Sequence, residues 1–343
     1  MLRLILFPFS VLWSLFMYIR RWFYNCGRRL TYEKPVICVG NLCMGGSGKT
    51  PHTEYLIRLL SQKRVAVLSR GYGRKTKGLL FADATSDSKD VGDEPLLMYK
   101  KHPSIPVVVS KNRIEGLHAI FARAPQTDVV ILDDAYQYLP LKPGLSILLT
   151  DYYNNYTDDY VVPSGRLREG HSAAKDADII IITKSPKIIP TVEEKLFLER
   201  INPLPHQTVY FSYIEFQGMQ ALTKEAKKLA PDSIRSAIAV CGIANPYPFL
   251  EYVDNCSLEV QRLVFPDHYR FTSADIQRMK TLVEKSMKKN CAVITTEKDA
   301  MRLMGSELKE DIETIPVFYI PIEVKFHQKY QEKFDRQIQD YVR

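Results

Sequence analysis

Cysteine is scarce in this chain. Six occur among 343 residues, at positions 26, 38, 43, 241, 256 and 291, and none forms a C-x-x-C pair. That excludes a disulfide framework or a zinc ribbon and reads as reduced thiols in a cytosolic setting. Internal repeats and low-complexity tracts are also missing, so solenoid and disordered classes fall away. Beyond the first thirty residues no run is long and apolar enough to span a bilayer. An acidic surplus is absent as well. The 47 basic and 39 acidic residues leave a net charge of +8, which points to an anionic partner: nucleic acid, a phosphate ligand or an acidic membrane. What remains is a chain that is 45% hydrophobic and 25% charged, enough for a large core and two domains of ordinary size.

The charge is uneven. Arg3, Arg20, Arg21, Arg28, Arg29 and Lys34 face only Glu33 within residues 1–34. Leu4 to Ile19 is apolar except for Ser10 and Ser14, and sixteen helical residues reach ~24 Å, short of the ~30 Å hydrocarbon layer. On a helical wheel Arg3, Ser10, Ser14, Arg21, Asn25 and Arg28 fall in one stripe, and most of the rest is large and apolar. A cleaved signal peptide lacks an A-x-A-like site here, and a spanning helix would need Trp22, Phe23 and Tyr24 to extend it. An ordinary buried helix fits poorly with so many aromatics beside arginine. The expectation is a helix lying along the membrane interface, its basic side chains snorkelling to anionic head groups.

Val- and Ile-rich runs then alternate with helical patterns. Strands are expected at 36–39, 64–68, 107–109, 129–132, 146–149 and 179–182, with helices at 49–62, 93–101, 111–123 and 191–201. Runs apolar on both faces indicate a parallel sheet covered by helices, an α/β fold. Pro203-Leu-Pro205 breaks the chain. A strand at 209–216 opens a second α/β series: strands at 237–241, near 258–265 and at 291–295, helices near 246–254, at 273–288 and at 297–303. Val317–Val324 mirrors the entry strand, with Pro321 marking an edge. The expected organisation is a membrane-associated helix over 1–30 and a first domain over 31–205, rejoined by 323–343. A smaller α/β domain over 206–322 includes a two-stranded hinge.

The most specific local signal is Val36-Ile-Cys-Val-Gly-Asn-Leu-Cys-Met-Gly-Gly-Ser-Gly-Lys-Thr-Pro51. An apolar strand runs through a glycine-rich turn into a helix. Backbone N–H groups of Cys43, Met44, Gly45, Gly46, Ser47 and Gly48 are expected to cradle phosphate oxygens at the helix N-terminus. Lys49 is expected to reach the β- and γ-phosphates, and the Thr50 hydroxyl to ligate Mg²⁺. Cys43 stands where the usual pattern has glycine, so Gly45 and Gly46 must supply the curvature. The acidic partner is Asp128-Val-Val-Ile-Leu-Asp133-Asp134, two carboxylates at a strand's C-terminal end. Asp133 and Asp134 are the metal candidates, pointing to opposite sides if the strand continues. A guanine-specific site would need N-K-x-D, and Thr183-Lys-Ser-Pro186 does not supply it. ATP with Mg²⁺ is the expected ligand.

Val91-Gly-Asp93-Glu94-Pro95 is a turn opening a helix, where Asp93 serves either as a helix cap or as a base for an acceptor hydroxyl. Ser69-Arg-Gly-Tyr-Gly-Arg74 and Pro163-Ser-Gly-Arg166-Leu-Arg168-Glu169 are basic loops, and His268 sits alone in Asp267-His-Tyr269. Together with Leu132-Asp-Asp-Ala-Tyr-Gln137, Ile182-Thr-Lys-Ser-Pro186, Cys241-Gly-Ile-Ala-Asn-Pro246 and Thr296-Glu-Lys-Asp299, this ordered series resembles the tetraacyldisaccharide 4′-kinases over nearly the whole chain.

The resemblance implies transfer of the ATP γ-phosphate to the 4′-hydroxyl of an acylated glucosamine disaccharide 1-phosphate in lipid A biosynthesis. It implies that Asp93 and His268 form the pair activating that hydroxyl, assembled by closure of two domains. Lys49 and Thr50 would hold triphosphate and metal with Asp133 and Asp134, and Arg168 would contact the phosphates or the lid. The catalytic domains would face the cytoplasmic side of the inner membrane, with no nucleic-acid or obligate protein partner. Two motifs depart from the family. Its Asp-Asp-Gly-Phe-Gln-His reads Ala135, Tyr136 and Tyr138 here, and Arg166 stands where proline is common. Two other classes use the same cradle: a nucleotide-dependent switch or metallochaperone without a lipid acceptor, and a membrane adaptor with a vestigial site.

Overall fold

Valine and isoleucine runs with no polar face build the central strands, since β-branched side chains suit a sheet buried on both sides. The structure, a computed structural model, describes residues 2–27, 29–256, 259–286, 290–305 and 307–343. The chain begins with α1 (Leu2–Cys26), and β1 (Val36–Asn41) then leads through the glycine-rich turn into α2 (Lys49–Leu59). β2 (Val65–Ser69), β3 (Leu80–Phe81), α3 (Ser88–Val91), α4 (Asp93–Lys101) and β4 (Val107–Val109) follow. Next come α5 (Arg113–Arg123), β5 (Val129–Asp133), β6 (Leu145–Asp151), β7 (Ile179–Thr183), α6 (Thr191–Ile201) and β8 (Thr208–Phe216). A second series runs through β9 (Gln220–Ala221), β10 (Ser236–Cys241), α7 (Tyr247–Cys256), β11 (Glu259–Val264) and α8 (Ser273–Lys285). It continues with β12 (Cys291–Thr296), α9 (Glu297–Leu303), α10 (Lys309–Ile312) and β13 (Val317–Ile320), and β14 (Ile322–Phe326) and α11 (Gln328–Tyr341) complete the order.

These strands form a nine-stranded sheet, β14-β8-β7-β6-β1-β5-β2-β4-β3, and a five-stranded sheet, β11-β10-β12-β13-β9. The large sheet is parallel except at its edges, where β14 and β3 pair antiparallel. Leu117, Ile120 and Phe197 of α5 and α6 pack in the core on one face. Leu56, Met98, Phe334 and Ile338 of α2, α4 and α11 fill the other. β1 lies between β5 and β6, so the strand order reverses there and opens a crevice at the carboxyl ends.

The expected strands and longer helices appear with ends shifted by a few residues; α2 stops at Leu59 and α8 at Lys285. Arg28, the strand start at 258 and the helix end at 287–288 lie outside the described residues. One run needs correction. Val317–Val324 is two strands rather than one, because Pro321 has no N–H to continue a ladder. β13 pairs with β12 in the small sheet, whereas β14 pairs with β8 in the large one, from Ile322 opposite Phe216 to Phe326 opposite Ser212.

Part of the polar stripe of α1 also faces the protein, against expectation. Ser10 and Arg21 are buried against the protein. Ser10 Oγ accepts from the Ser164 N–H at 2.9 Å, and Arg21 pairs with Glu169 at 2.7 Å and with Asp176. Two carboxylates waiting under the helix match the guanidinium better than a snorkelled head group could, so Arg21 does not reach outward. The exposed face carries Ile5, Phe9, Leu12, Phe16, Ile19 and Phe23 at helical spacing. Among the described residues no helix is long and apolar enough to cross a membrane.

Candidate active site

The glycine-rich turn sits at the carboxyl end of β1. Gly45 and Gly48 have φ of 113° and 83°, a region closed to other residues without strain. A Cβ placed on Gly45 or Gly46 would meet nothing within 4 Å, so the loop leaves open space for a ligand rather than packing on its own protein. Its outer strand is zipped to the basic loop: Met44 N–H donates to the Arg166 carbonyl and Arg168 N–H to the Leu42 carbonyl, both at 2.7 Å. Lys184 Nζ donates to the Gly46 carbonyl and to Asp151 at 2.9 Å. Ser47 Oγ is buried without a protein partner.

Lys49 Nζ lies 3.3 Å from Asn41 Oδ1 and 3.7 Å from Asp134 Oδ1. Arg168 Nη1 lies 3.3 Å from the same Asp134 oxygen. β5 ends at Asp133, and Asp134 adopts φ 52°, turning the chain so that the two carboxylates do not diverge as on a continuing strand. Asp133 Oδ1 accepts from Thr53 Oγ1 at 3.2 Å. Burial, then Asp134, then Glu94 push the Asp133 carboxyl up to about 7, against Lys49 and Thr53. Thr50 opens α2 beside Lys49, half-buried. Thus Lys49, Asp133, Asp134 and Arg168 gather at one end of the sheet, with Cys43 and exposed Met44 in the adjoining loop.

The second cluster lies where α4 meets the small-sheet residues. Gly92, at φ 96°, brings its backbone against Tyr72, and a Cβ there would meet the Tyr72 carbonyl at 2.8 Å. Asp93 begins α4 and lies with Oδ2 2.7 Å from Arg302 Nε and 3.5 Å from His268 Nδ1. Burial alone would raise the Asp93 carboxyl, but the hydrogen bond to His268 and the charge of Arg302 outweigh it and hold it below the usual range. His268 has φ 58°, an uncommon conformation for a non-glycine residue, which the surrounding structure must sustain. Tyr72 packs edge-on against its ring at 5.3 Å between centroids. Closure is not needed to bring Asp93 and His268 together; they already meet in this conformation.

The two family departures have clear surroundings. Tyr136 is buried, donating to the Ala173 carbonyl at 2.8 Å with the Arg21 guanidinium over its ring. Tyr138 donates to Asn112 at 2.7 Å. Arg166 donates to Asp159 and Asn154, both at 2.9 Å. Sequence reasoning missed Asn41, Thr53, Lys184 and Arg302. Thr53 lies one helical turn beyond Lys49, and Arg302 one turn beyond Asp299, so their motifs held a signal; Asn41 and Lys184 became informative only once the strands were placed.

The whole chain matches known proteins. The family model for tetraacyldisaccharide-1-P 4′-kinase covers residues 2–342. A tetraacyldisaccharide 4′-kinase from Flavobacterium johnsoniae is 39% identical over 100% of this chain and 98% of that protein. Its counterpart from Bacteroides thetaiotaomicron is 38% identical over 98% and 93%. The crystal structure of LpxK from Aquifex aeolicus in complex with ATP superposes with a TM-score of 0.75 at 29% identity, covering all of both chains. With its glycine-rich turn at the carboxyl end of β1, its paired strand-end aspartates and this coverage, the chain belongs to the tetraacyldisaccharide-1-phosphate 4′-kinase family.

Proposed function

We propose that this chain is an ATP-dependent lipid kinase that transfers the γ-phosphate of ATP to the 4′-hydroxyl of a tetraacyldisaccharide 1-phosphate, the step of lipid A biosynthesis that forms lipid IVA. The observation that carries the reading is the 3.5 Å approach of His268 to Asp93 beside a phosphate cradle. Glu94, the neighbour of Asp93, adds to the upward push on the Asp133 carboxyl, which supports reading the two clusters as parts of one site. A switch or metallochaperone has no use for a paired Asp–His across two sheets.

Backbone N–H groups of residues 43–48 bind the triphosphate, and Lys49 and Arg168 offset its charge. The acceptor hydroxyl gives its proton to Asp93 as its oxygen bonds to the γ-phosphorus and ADP departs with the bridging oxygen. His268 holds the Asp93 carboxylate oriented for that transfer. Mg²⁺ is an ion usually held by one or two carboxylates plus phosphates. Thr50, Asp133 and Asp134 would hold it, and it would neutralise charge on the phosphoryl oxygens.

The lipid substrate stays in a bilayer, and the apolar outer face of α1 supports docking at the membrane interface. Since ATP is cytosolic, the catalytic part faces the cytoplasmic side of the inner membrane. Residues 206–322 are proposed as the second domain, although their first strand, β8, pairs with β7 in the large sheet, so the small sheet itself is built from β9 to β13. The test is incubation of the protein with Mg²⁺, radiolabelled ATP and detergent-dispersed tetraacyldisaccharide 1-phosphate. Label entering the lipid supports the reading, and ATP turnover without labelled lipid overturns it.

A further inference from the structure

We infer that Arg302 is the positioning residue that assembles the Asp93–His268 pair from two separate sheets. The inference rests on Asp93 being the base.

Arg302 is almost completely buried, with its side chain 5% exposed, yet it makes polar contacts in four directions. Nε donates to Asp93 Oδ2 at 2.7 Å. Nη1 donates to Asp299 Oδ1 at 2.6 Å and to the Gly242 carbonyl at 2.9 Å. Nη2 stands 3.3 Å from His268 Nδ1. A planar guanidinium can hold these partners at once, whereas a lysine ammonium is a single point charge. Asp299 completes the frame: its other oxygen accepts from the Gly242 N–H at 2.9 Å and from the Thr296 hydroxyl at 2.8 Å. Gly242 is therefore gripped at both its N–H and its carbonyl, and that carbonyl also accepts the His268 N–H at 3.1 Å. The frame that orients Asp93 is the one that holds the His268 backbone in its left-handed conformation. Both Arg302 and His268 address Oδ2, and no described residue holds Asp93 Oδ1, which leaves that oxygen for the acceptor hydroxyl.

The charged groups facing Asp93 are His268 and Asp267 from the loop after β11, Arg302, Lys298 and Asp299 from α9, and Glu94 on its own helix. Lys298 is occupied by Glu94 at 2.6 Å and lies 3.3 Å from His268 Nε2. Arg302 is thus the cation in direct contact with Asp93.

The experiment measures kcat and KM against pH with Mg²⁺, ATP and detergent-dispersed lipid acceptor for wild type, Arg302→Met, Arg302→Lys and Asp93→Asn, with melting temperatures alongside. Arg302→Met should lower kcat by about thirtyfold or more, leave KM for ATP within about twofold, and move the acid limb of the profile up by about one pH unit. Arg302→Lys should recover part of the rate, with its acid limb in between. A purely structural role predicts lost activity with an unmoved acid limb, and that result overturns the inference. If Arg302→Met does not fold, the limb of Arg302→Lys decides: moved up it supports the inference, unmoved it overturns it. Near-normal activity of Asp93→Asn would remove Asp93 as base and the inference with it. An inactive Asp93→Asn beside unmoved Arg302 limbs removes only the inference.

Discussion

Arg21 and Glu169 meet at 2.7 Å with their side chains only 8% and 2% exposed, so the N-terminal helix is fastened to the protein by a buried ion pair on its polar stripe. Taking away the cation would leave Glu169 charged and enclosed. Arg21→Ala is expected to cost about 3 kcal/mol of stability, the penalty for orphaning one member of a buried pair. Denaturant unfolding measures it. If Arg21 instead reached lipid head groups, the same variant would keep its stability and lose affinity for anionic vesicles.

A half-buried cation between two buried carboxylates joins three helices. Lys101 Nζ, at the end of α4, lies 2.7 Å from Glu54 on α2 and 2.8 Å from Glu297 at the start of α9. Burial would lower the Lys101 pKa, but the two carboxylates outweigh it and keep the ammonium protonated. Lys101→Met should therefore destabilise by about 3–5 kcal/mol. Adding Glu297→Gln should recover part of that loss, because a neutral amide tolerates burial better than an unpaired carboxylate. Additive losses in a double-mutant cycle would show that the pair does not couple.

Most of the architecture was legible in the sequence because β-branched runs and helical periodicity are local signals. The strand–turn–helix around Lys49 was legible for the same reason: strand, glycines, lysine and helix are contiguous. What could not be read was orientation and partnership. The stripe holding Arg21 was visible on a helical wheel, but whether it faced lipid or protein depended on Glu169 and Asp176, well over a hundred residues away. Arg302 likewise carries no meaning until folding sets it against Asp93. Pro321 marked an irregularity correctly, yet its effect, passing the chain from one sheet to the other, needed the register.

The thiols give a prediction with a pH sign. Cys43 lies in the phosphate loop, where a reactive thiolate would be a liability. Burial first, and the charge of Asp159 next, push its pKa up to about 11. Cys38 and Cys241 are pushed up to about 12, mainly by burial. Alkylation requires the thiolate, so these three should resist iodoacetamide at pH 7.5, with labelling of Cys43 rising only as pH climbs toward 11. Cys26 and Cys256 are exposed and should label first. Mass spectrometry of the native protein after brief treatment checks this. Rapid modification of Cys43 at neutral pH would show that the loop opens in solution.

Gly40 packs closely against the turn behind the site. A Cβ there would fall 2.5 Å from Tyr136 Cβ, a distance that real Cβ atoms essentially never show, and 3.0 Å from Tyr136 N, itself tight. β1 cannot retreat, because Val39 is in register with Asp133 on one side and with Ile147 on the other. The added methyl must instead push the 134–137 turn outward, carrying Asp134 away from Lys49. Gly40→Ala is accordingly expected to cost about 2 kcal/mol and to lower kinase activity by about tenfold or more. Tyr136→Ala cannot relieve the clash, since alanine keeps the offending Cβ. Tyr136→Gly can, although alone it loses a buried ring and its hydrogen bond to Ala173. The two glycine-side changes together should cost less than the sum of their separate effects, and strict additivity in unfolding free energy would rule out the steric account.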